Sequence, residues 1–286
     1  MKNCAVALMS GSLKGVFVQG VLSLFEKEGF RADAYGSCSS STLPASYAAI
    51  GKMEQFPMSY WLNAQTILDR EGTSMSNVFL EGNAESMPLI KDLLFDQEAA
   101  RLMVACSFVY NSCGAEITQG SGARMLGRQL LLDGAKKNGS WRDENLEFHF
   151  FDTCSSNPDL RISLENVEDV FYASTRMMHA WHIPVHINGK PYIDGSYTSL
   201  CPALPMAQLG YKKIIAVLTE PEIPGLDYFA NEKIPDEYLE AKINFVRPAM
   251  NLKELGVDFT VATKEGIIQA FEHGVAQGRT FLESWS

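Results

Sequence analysis

The chain has 286 residues, 46% of them hydrophobic and 20% charged, and a formal net charge of −10. This acidic balance argues against nucleic acid as a partner and against standing attraction to anionic membranes. No apolar run reaches the roughly 20 residues of a membrane span, so the composition predicts a globular protein with no integral membrane segment.

Met1-Lys2-Asn3-Cys4 enters an apolar run with no small-residue cleavage site behind it, so no signal peptide is expected. The continuous apolar run over about 4–9 predicts a strand buried on both faces in a parallel sheet. Val18, Val21, Leu22 and Phe25 carry helical spacing, predicting a helix from about Lys14 to Glu28 with Gly29 as its stop. A second strand is expected over Ala32–Tyr35, then a turn of small residues, then an Ala-rich helix from about Ser39 to Ile50. Strand, Gly-rich turn and helix thus alternate through the first 50 residues, which predicts right-handed β-α-β units. Residues 53–135 are rich in Met and Leu at helical spacing and are expected to be mostly helical, able to fold over a site as a cap. Their methionines, among them Met53, Met58, Met75, Met87, Met103 and Met125, suit either ordinary core filling or an adaptable apolar pocket. Glu147–Thr153 and Asp159–Leu164 read as a strand pair. Val185–Ile187 and Lys190–Ile193 flank Asn188-Gly189, a strong hairpin signal. Lys213–Thr219 reads as a buried strand, 221–245 as a surface loop and 251–284 as helix. With no linker or repeat, one domain over 1–286 is expected.

The turn between the second strand and its helix carries chemistry. A strand, a sharp turn of small residues and a helix are the layout of a nucleophile elbow, where the reactive side chain is exposed on a strained turn. The pattern G-x-S-x-G falls on Gly36-Ser37-Cys38-Ser39-Ser40, which places a thiol, Cys38, at the nucleophile position. A buried structural Cys is the plainer alternative. Upstream, Ser10-Gly11-Ser12-Leu13-Lys14-Gly15 is a small-residue loop between strand and helix. Downstream, Tyr192-Ile193-Asp194-Gly195-Ser196 sets an acid in a tight turn.

In order and spacing these three segments resemble the patatin-like phospholipase family. That family has a glycine-rich oxyanion loop, G-G-G-x-[RK]-G, then G-x-S-x-G, then D-G-[GA]. Ser10 and Ser12 replace two glycines of the first motif, and Ser196 departs from the third. Gly20–Gly29, Ala173-Ser174, His182-Ile183-Pro184, Pro202–Gly210 and Phe271–Leu282 extend the likeness over most of the chain, least over 53–145. The resemblance implies a three-layer α/β fold with a mainly parallel central sheet and helices on both faces. It implies Cys38 and Asp194 as a catalytic pair, and Gly11, Ser12 and Leu13 as oxyanion donors, with neither cofactor nor metal.

A helix N-terminus favours a thiolate, while an adjacent carboxylate opposes it. Thiolate attack on a thioester is nearly isoenergetic, whereas attack on a plain ester runs uphill. A Cys nucleophile therefore points to activated acyl groups on a carrier protein or coenzyme A. His179, His182 and His186 crowd before Asp194, and His182 is a candidate auxiliary base, though each fits an ordinary structural histidine as well. The expected function is acyl transfer or hydrolysis through a Cys38 acyl-enzyme. A lipid acyl hydrolase and a non-catalytic lipid-binding protein are the alternatives. The six cysteines form no C-x-x-C pair and predict free thiols in the cytoplasm.

Overall fold

A nine-stranded sheet carries the molecule; the computed structural model describes residues 4–285. Its strands are β1 (Cys4–Leu8), β2 (Ala34–Cys38), β3 (Arg101–Val109), β4 (Leu146–Asp152), β5 (His186–Ile187), β6 (Lys190–Asp194), β7 (Lys213–Val217), β8 (Glu237–Tyr238) and β9 (Ala241–Val246). They lie in the order β5-β6-β3-β2-β1-β7-β9-β8, with β4 also paired to β3. The central strands β3, β2, β1, β7 and β9 run parallel, and β4, β6 and β8 are antiparallel to their neighbours. The helices are α1 (Gly15–Lys27), α2 (Thr42–Ala49), α3 (Ser59–Leu62), α4 (Ala64–Leu68), α5 (Met75–Ile90), α6 (Ser112–Gln119), α7 (Ala123–Ala135), α8 (Ser140–Asn145), α9 (Val167–Thr175), α10 (Ala203–Gln208) and α11 (Lys264–Ser284).

Side chains alternate across a strand, so β1 serves two cores. Val6 and Leu8 join the larger one with Phe17, Leu43 and Phe171; Ala5 and Ala7 join the smaller one with Met206 and Ile214. The chain is thus an α/β protein with a mostly parallel mixed sheet and helices around it. On the larger side α1 and α11 cross very closely. A β-carbon at Gly20 would sit 2.1 Å from the Phe271 carbonyl oxygen, and one at Gly274 2.2 Å from that of Phe17. Only glycine lets the two backbones approach so near.

Most predicted elements form within a residue or two. The Asn188-Gly189 hairpin has both residues left-handed, at φ 51° and 76°, as a two-residue turn of this kind demands. Several expectations need correcting. β2 runs to Cys38, three residues beyond the expected end. Residues 101–109, expected to be helical, form β3 in the middle of the sheet. The expected Asp159–Leu164 strand is a single 3-10 turn, Pro158–Leu160, and one bridge from Arg161 to Asp152. The expected 221–245 loop contains β8, at the end of the sheet, and most of β9, between β7 and β8. The expected 251–284 helix is α11 preceded by a 3-10 turn at Leu252–Leu255.

Strand register assembles the site. β2 pairs with one edge of β3 as far as Cys38 opposite Ala105. β6 takes over that edge, with Asp194 opposite Cys106. β4 occupies the other edge across the same residues, so β2 and β6 must meet end to end. The residue after Cys38 and the carboxyl of Asp194 are thereby brought to one point.

Candidate functional site

That point is occupied by Ser39. Its Oγ donates to Asp194 Oδ2 at 2.8 Å. Cys38 is still extended strand, at φ −134° and ψ 133°, whereas Ser39 has turned left-handed, at φ 57°. A left-handed serine is held against strain of roughly 1–3 kcal/mol, which concentrates at working sites. Among the described non-glycine residues with positive φ, only Ser39 and Ser12 are buried. Both belong to this site.

The expected pairing of Cys38 with Asp194 is not formed: the side chain on the carboxylate is that of Ser39. Cys38 shares its strand face with Gly36, which looks onto Met206 of α10, and is fully buried. Burial first, then the Asp194 charge and the nearby Cys106 and Cys201, push its thiol well above the usual range. The Asp194 carboxylate, moreover, hydrogen-bonds to the Ser39 hydroxyl and not to this thiol. The pattern belongs one residue later, on Ser37-Cys38-Ser39-Ser40-Ser41.

Asp194 lies at the end of β6 and is buried. It caps the turn Gly195–Tyr197, and its Oδ1 accepts from Ser196 N–H at 2.8 Å and from Ser196 Oγ at 2.5 Å. Oδ2 is left facing Ser39. Burial raises the Asp194 pKa to about 6, against the pull of the Ser196 and Ser39 hydrogen bonds. Ser196, the departure from D-G-[GA], thus fixes the carboxylate's orientation. Gly195 cannot change, because a β-carbon there would lie 2.3 Å from the Ala105 carbonyl oxygen.

Ser174, at the end of α9, supports the elbow from the side. Its Oγ accepts Ser39 N–H at 2.9 Å and donates to the Ala105 carbonyl at 2.8 Å. Thr42 Oγ1 also reaches it, at 3.4 Å. Ser41 Oγ donates to the Met9 carbonyl and ties the elbow to the oxyanion loop. Ala173-Ser174 carries no sign of this place in the sequence, because a hydroxyl partner 135 residues away leaves no local signal.

The loop at Gly11 lies against the turn at Ser39–Ser41. Thr219 Oγ1 donates to the Ser10 carbonyl at 2.6 Å and braces it. A β-carbon at Gly11 would collide with the Thr219 side chain at 2.7–2.8 Å. Of the three expected oxyanion donors, Leu13 is corrected: its N–H donates to the Phe259 carbonyl at 3.2 Å. The N–H groups of Gly11 and Ser12 make no hydrogen bond to a described residue. Lys14 is buried and paired with Glu220 at 2.6 Å, closing the loop's far end.

The histidines stand apart. His182 and His186 are exposed, and neither hydrogen-bonds to the pair. His182 is thus corrected as an auxiliary base. His179 stacks on Phe259 at 5.9 Å, and burial, with Arg128 and Arg124 beside it, lowers its pKa. No His/Cys/Asp/Glu group among the described residues is arranged to hold a metal. All six cysteines are free.

An apolar cleft opens beside the elbow, with Ser12, Leu13, Ser40 and Thr175 at one end and Tyr60, Trp61, Met75, Val78, Phe79 and Trp181 around it. Within residues 53–90, α3 and α5 line this cleft. No helix of the described residues is long and apolar enough to cross a membrane. No protein-family model matches this chain, and no curated protein does.

Proposed function

We propose that the chain is a patatin-like acyl hydrolase, able also to pass its acyl group to another acceptor, that works through a Ser39–Asp194 dyad. The observation that carries this reading is the 2.8 Å hydrogen bond from a buried, left-handed serine at a strand-to-helix turn to a doubly anchored carboxylate. A base with a pKa of about 6 is ionised at neutral pH yet basic enough to take a proton in the transition state.

Ser39 Oγ attacks the acyl carbonyl as its proton passes to Asp194 Oδ2. The carbonyl oxygen gains the negative charge and meets the N–H groups of Gly11 and Ser12, where each such donor is worth about 2.7–4 kcal/mol. The carbonyl re-forms, the bond to the leaving oxygen breaks, and Asp194 returns its proton to that alcohol. Water, or another acceptor hydroxyl, then gives its proton to Asp194 and attacks the acyl-enzyme; the bond to Ser39 Oγ breaks, and Asp194 returns the proton to Ser39. Thioesters are favoured only where sulfur is the nucleophile. With oxygen in that role, acyl transfer from an ordinary ester is no longer uphill, and oxygen esters become the first substrates to try.

The test is covalent. A fluorophosphonate is expected to add one equivalent, mapped by peptide mass to Ser39. Ser39→Ala should abolish the adduct and Cys38→Ala should keep it. An adduct that survives Ser39→Ala and disappears in Cys38→Ala would restore the thiol reading.

A further inference from the structure

The loop that presents free N–H groups to Ser39 also carries a hydroxyl, that of Ser12, with no partner among the described residues; its use follows only if the Ser39 reading holds. Ser12 is 2% exposed, and its Oγ is buried without a hydrogen bond. Its backbone is left-handed, at φ 51°, a conformation that glycine adopts freely and serine does not. Two costs therefore meet at one residue, a strained backbone and an unsatisfied buried hydroxyl, and a glycine would remove both. Strain and unsatisfied polar groups of this kind are features that persist at working sites.

The loop is anchored on both sides of Ser12. Ser10 N–H donates to the Leu200 carbonyl at 3.0 Å, and the Ser10 carbonyl accepts from Thr219. Beyond Ser12, Leu13 N–H is held by the Phe259 carbonyl. A hydroxyl on so fixed a segment is a preorganised donor, and serine hydroxyls are among the groups that stabilise oxyanions. The cleft has the matching size. Ser12 and Ser40 line it, and the space enclosed there is about 20 Å³, room for a single water-sized group. Ser40 Oγ and Trp181 Nε1 are also buried there without a partner among the described residues. Ser40 Oγ, however, lies against Gly15 and Trp61: a β-carbon at Gly15 would be 3.0 Å from it and 2.8 Å from Trp61 Cη2. Trp181 packs edge-on to Phe259, outside the loop. Only at Ser12 does the unpartnered side chain share a residue with one of the loop's free N–H groups.

We propose that Ser12 is a catalytic residue: its Oγ–H donates to the substrate carbonyl oxygen as that oxygen becomes negative, as a third donor beside the N–H groups of Gly11 and Ser12. Leu13 N–H, bound to Phe259, does not fill this place. The hydroxyl keeps its proton throughout and forms no covalent bond.

The experiment compares the wild type, Ser12→Ala and Ser12→Gly in kcat and KM on p-nitrophenyl acetate, in the rate of fluorophosphonate addition at Ser39, and in thermal unfolding. Alanine removes the hydroxyl and keeps the strained backbone, whereas glycine removes both. Loss of the donor should lower kcat on the order of 100-fold in both variants, change KM by less than about threefold, and slow fluorophosphonate addition in parallel. Ser12→Gly should unfold no earlier than Ser12→Ala, because glycine suits this backbone. A Ser12→Gly protein that turns over as fast as the wild type overturns the inference. A loss in Ser12→Ala alone assigns the effect to strain, and a loss in Ser12→Gly alone to a loosened loop; either overturns it as well. If neither variant folds, Ser12 is a structural residue and the inference falls. Equal rates of adduct formation at Ser39 in all three proteins remove the Ser12 hydroxyl from the mechanism and leave the dyad standing. A wild type that neither cleaves the ester nor takes the fluorophosphonate at Ser39 fails the functional reading, and the inference with it.

Discussion

Replacing Asp194 by Asn should remove activity and at the same time stabilise the fold at neutral pH. The carboxyl group is 1% exposed, and burial lifts its pKa from 3.8 to about 6. An unfolded chain releases this proton near pH 4, while the native state holds it to about pH 6. Between those values the native state binds more protons, so stability falls as pH rises and stays low above pH 6. Two units at 1.36 kcal/mol each make the cost of the buried charge about 3 kcal/mol at pH 7. Asn keeps the shape. Its Oδ1 can still accept from both Ser196 donors, and its Nδ2 can donate to Ser39 Oγ, so the variant should recover ~1–3 kcal/mol, or a rise in Tm of about 3–8 °C. Loss of the base should cost on the order of 10²–10⁴ in kcat. Thermal unfolding of both proteins at pH 4 and pH 7.5 is the assay. The gap should be open at pH 7.5 and nearly closed at pH 4. A variant less stable than wild type at pH 7.5, or a gap independent of pH, would refute the picture of Asp194 as a buried carboxylate kept ionised for work.

The same group sets the pH profile: kcat/KM should rise with unit slope through about pH 6 and level off above pH 7, and a profile that is flat between pH 5 and 8 would remove Asp194 as the base. Gly11→Ala should lower kcat by about 100-fold with a smaller change in KM, because the new methyl must push the loop off Thr219 by about an ångström and carry the oxyanion donors with it; steady-state kinetics on a folded variant check it, and an unchanged kcat would take Gly11 N–H out of the mechanism.

Some elements were readable because their signals are local. The run at β1, the helical spacing of Val18, Val21, Leu22 and Phe25, and Asn188-Gly189 each state their own geometry. β3 was not. Arg101–Val109 is buried along nearly its whole length, so it shows no alternation, and it follows a Met- and Leu-rich stretch that is helical. A short apolar run buried on both faces looks alike in a strand and in a helix until its neighbours are known. Missing β3 also hid the site's main organiser. It is along its edge that β2 and β6 meet, and its Ala105 carbonyl receives Ser174.

The one-residue error at the elbow has the same origin. Gly36 drew the motif onto itself, since glycine is the usual mark of that turn. Yet Gly36 lies inside β2, where it makes room for Met206, with a β-carbon there only 2.6 Å from the Met206 sulfur. The turn at Ser39 contains no glycine. Ser39 takes the left-handed conformation itself. The end of a strand cannot be read from Ser-Cys-Ser-Ser-Ser, because every residue there is small and none is a breaker. The helix that follows offers a better anchor. Leu43 packs in the larger core, and counting back from it puts Ser39 at the head of the turn, one residue past the last residue paired with β3. Period two then does the rest. A slip of one residue moves a side chain from one face of a sheet to the other. Here it separates a thiol sealed beneath the strand from a hydroxyl placed on a carboxylate.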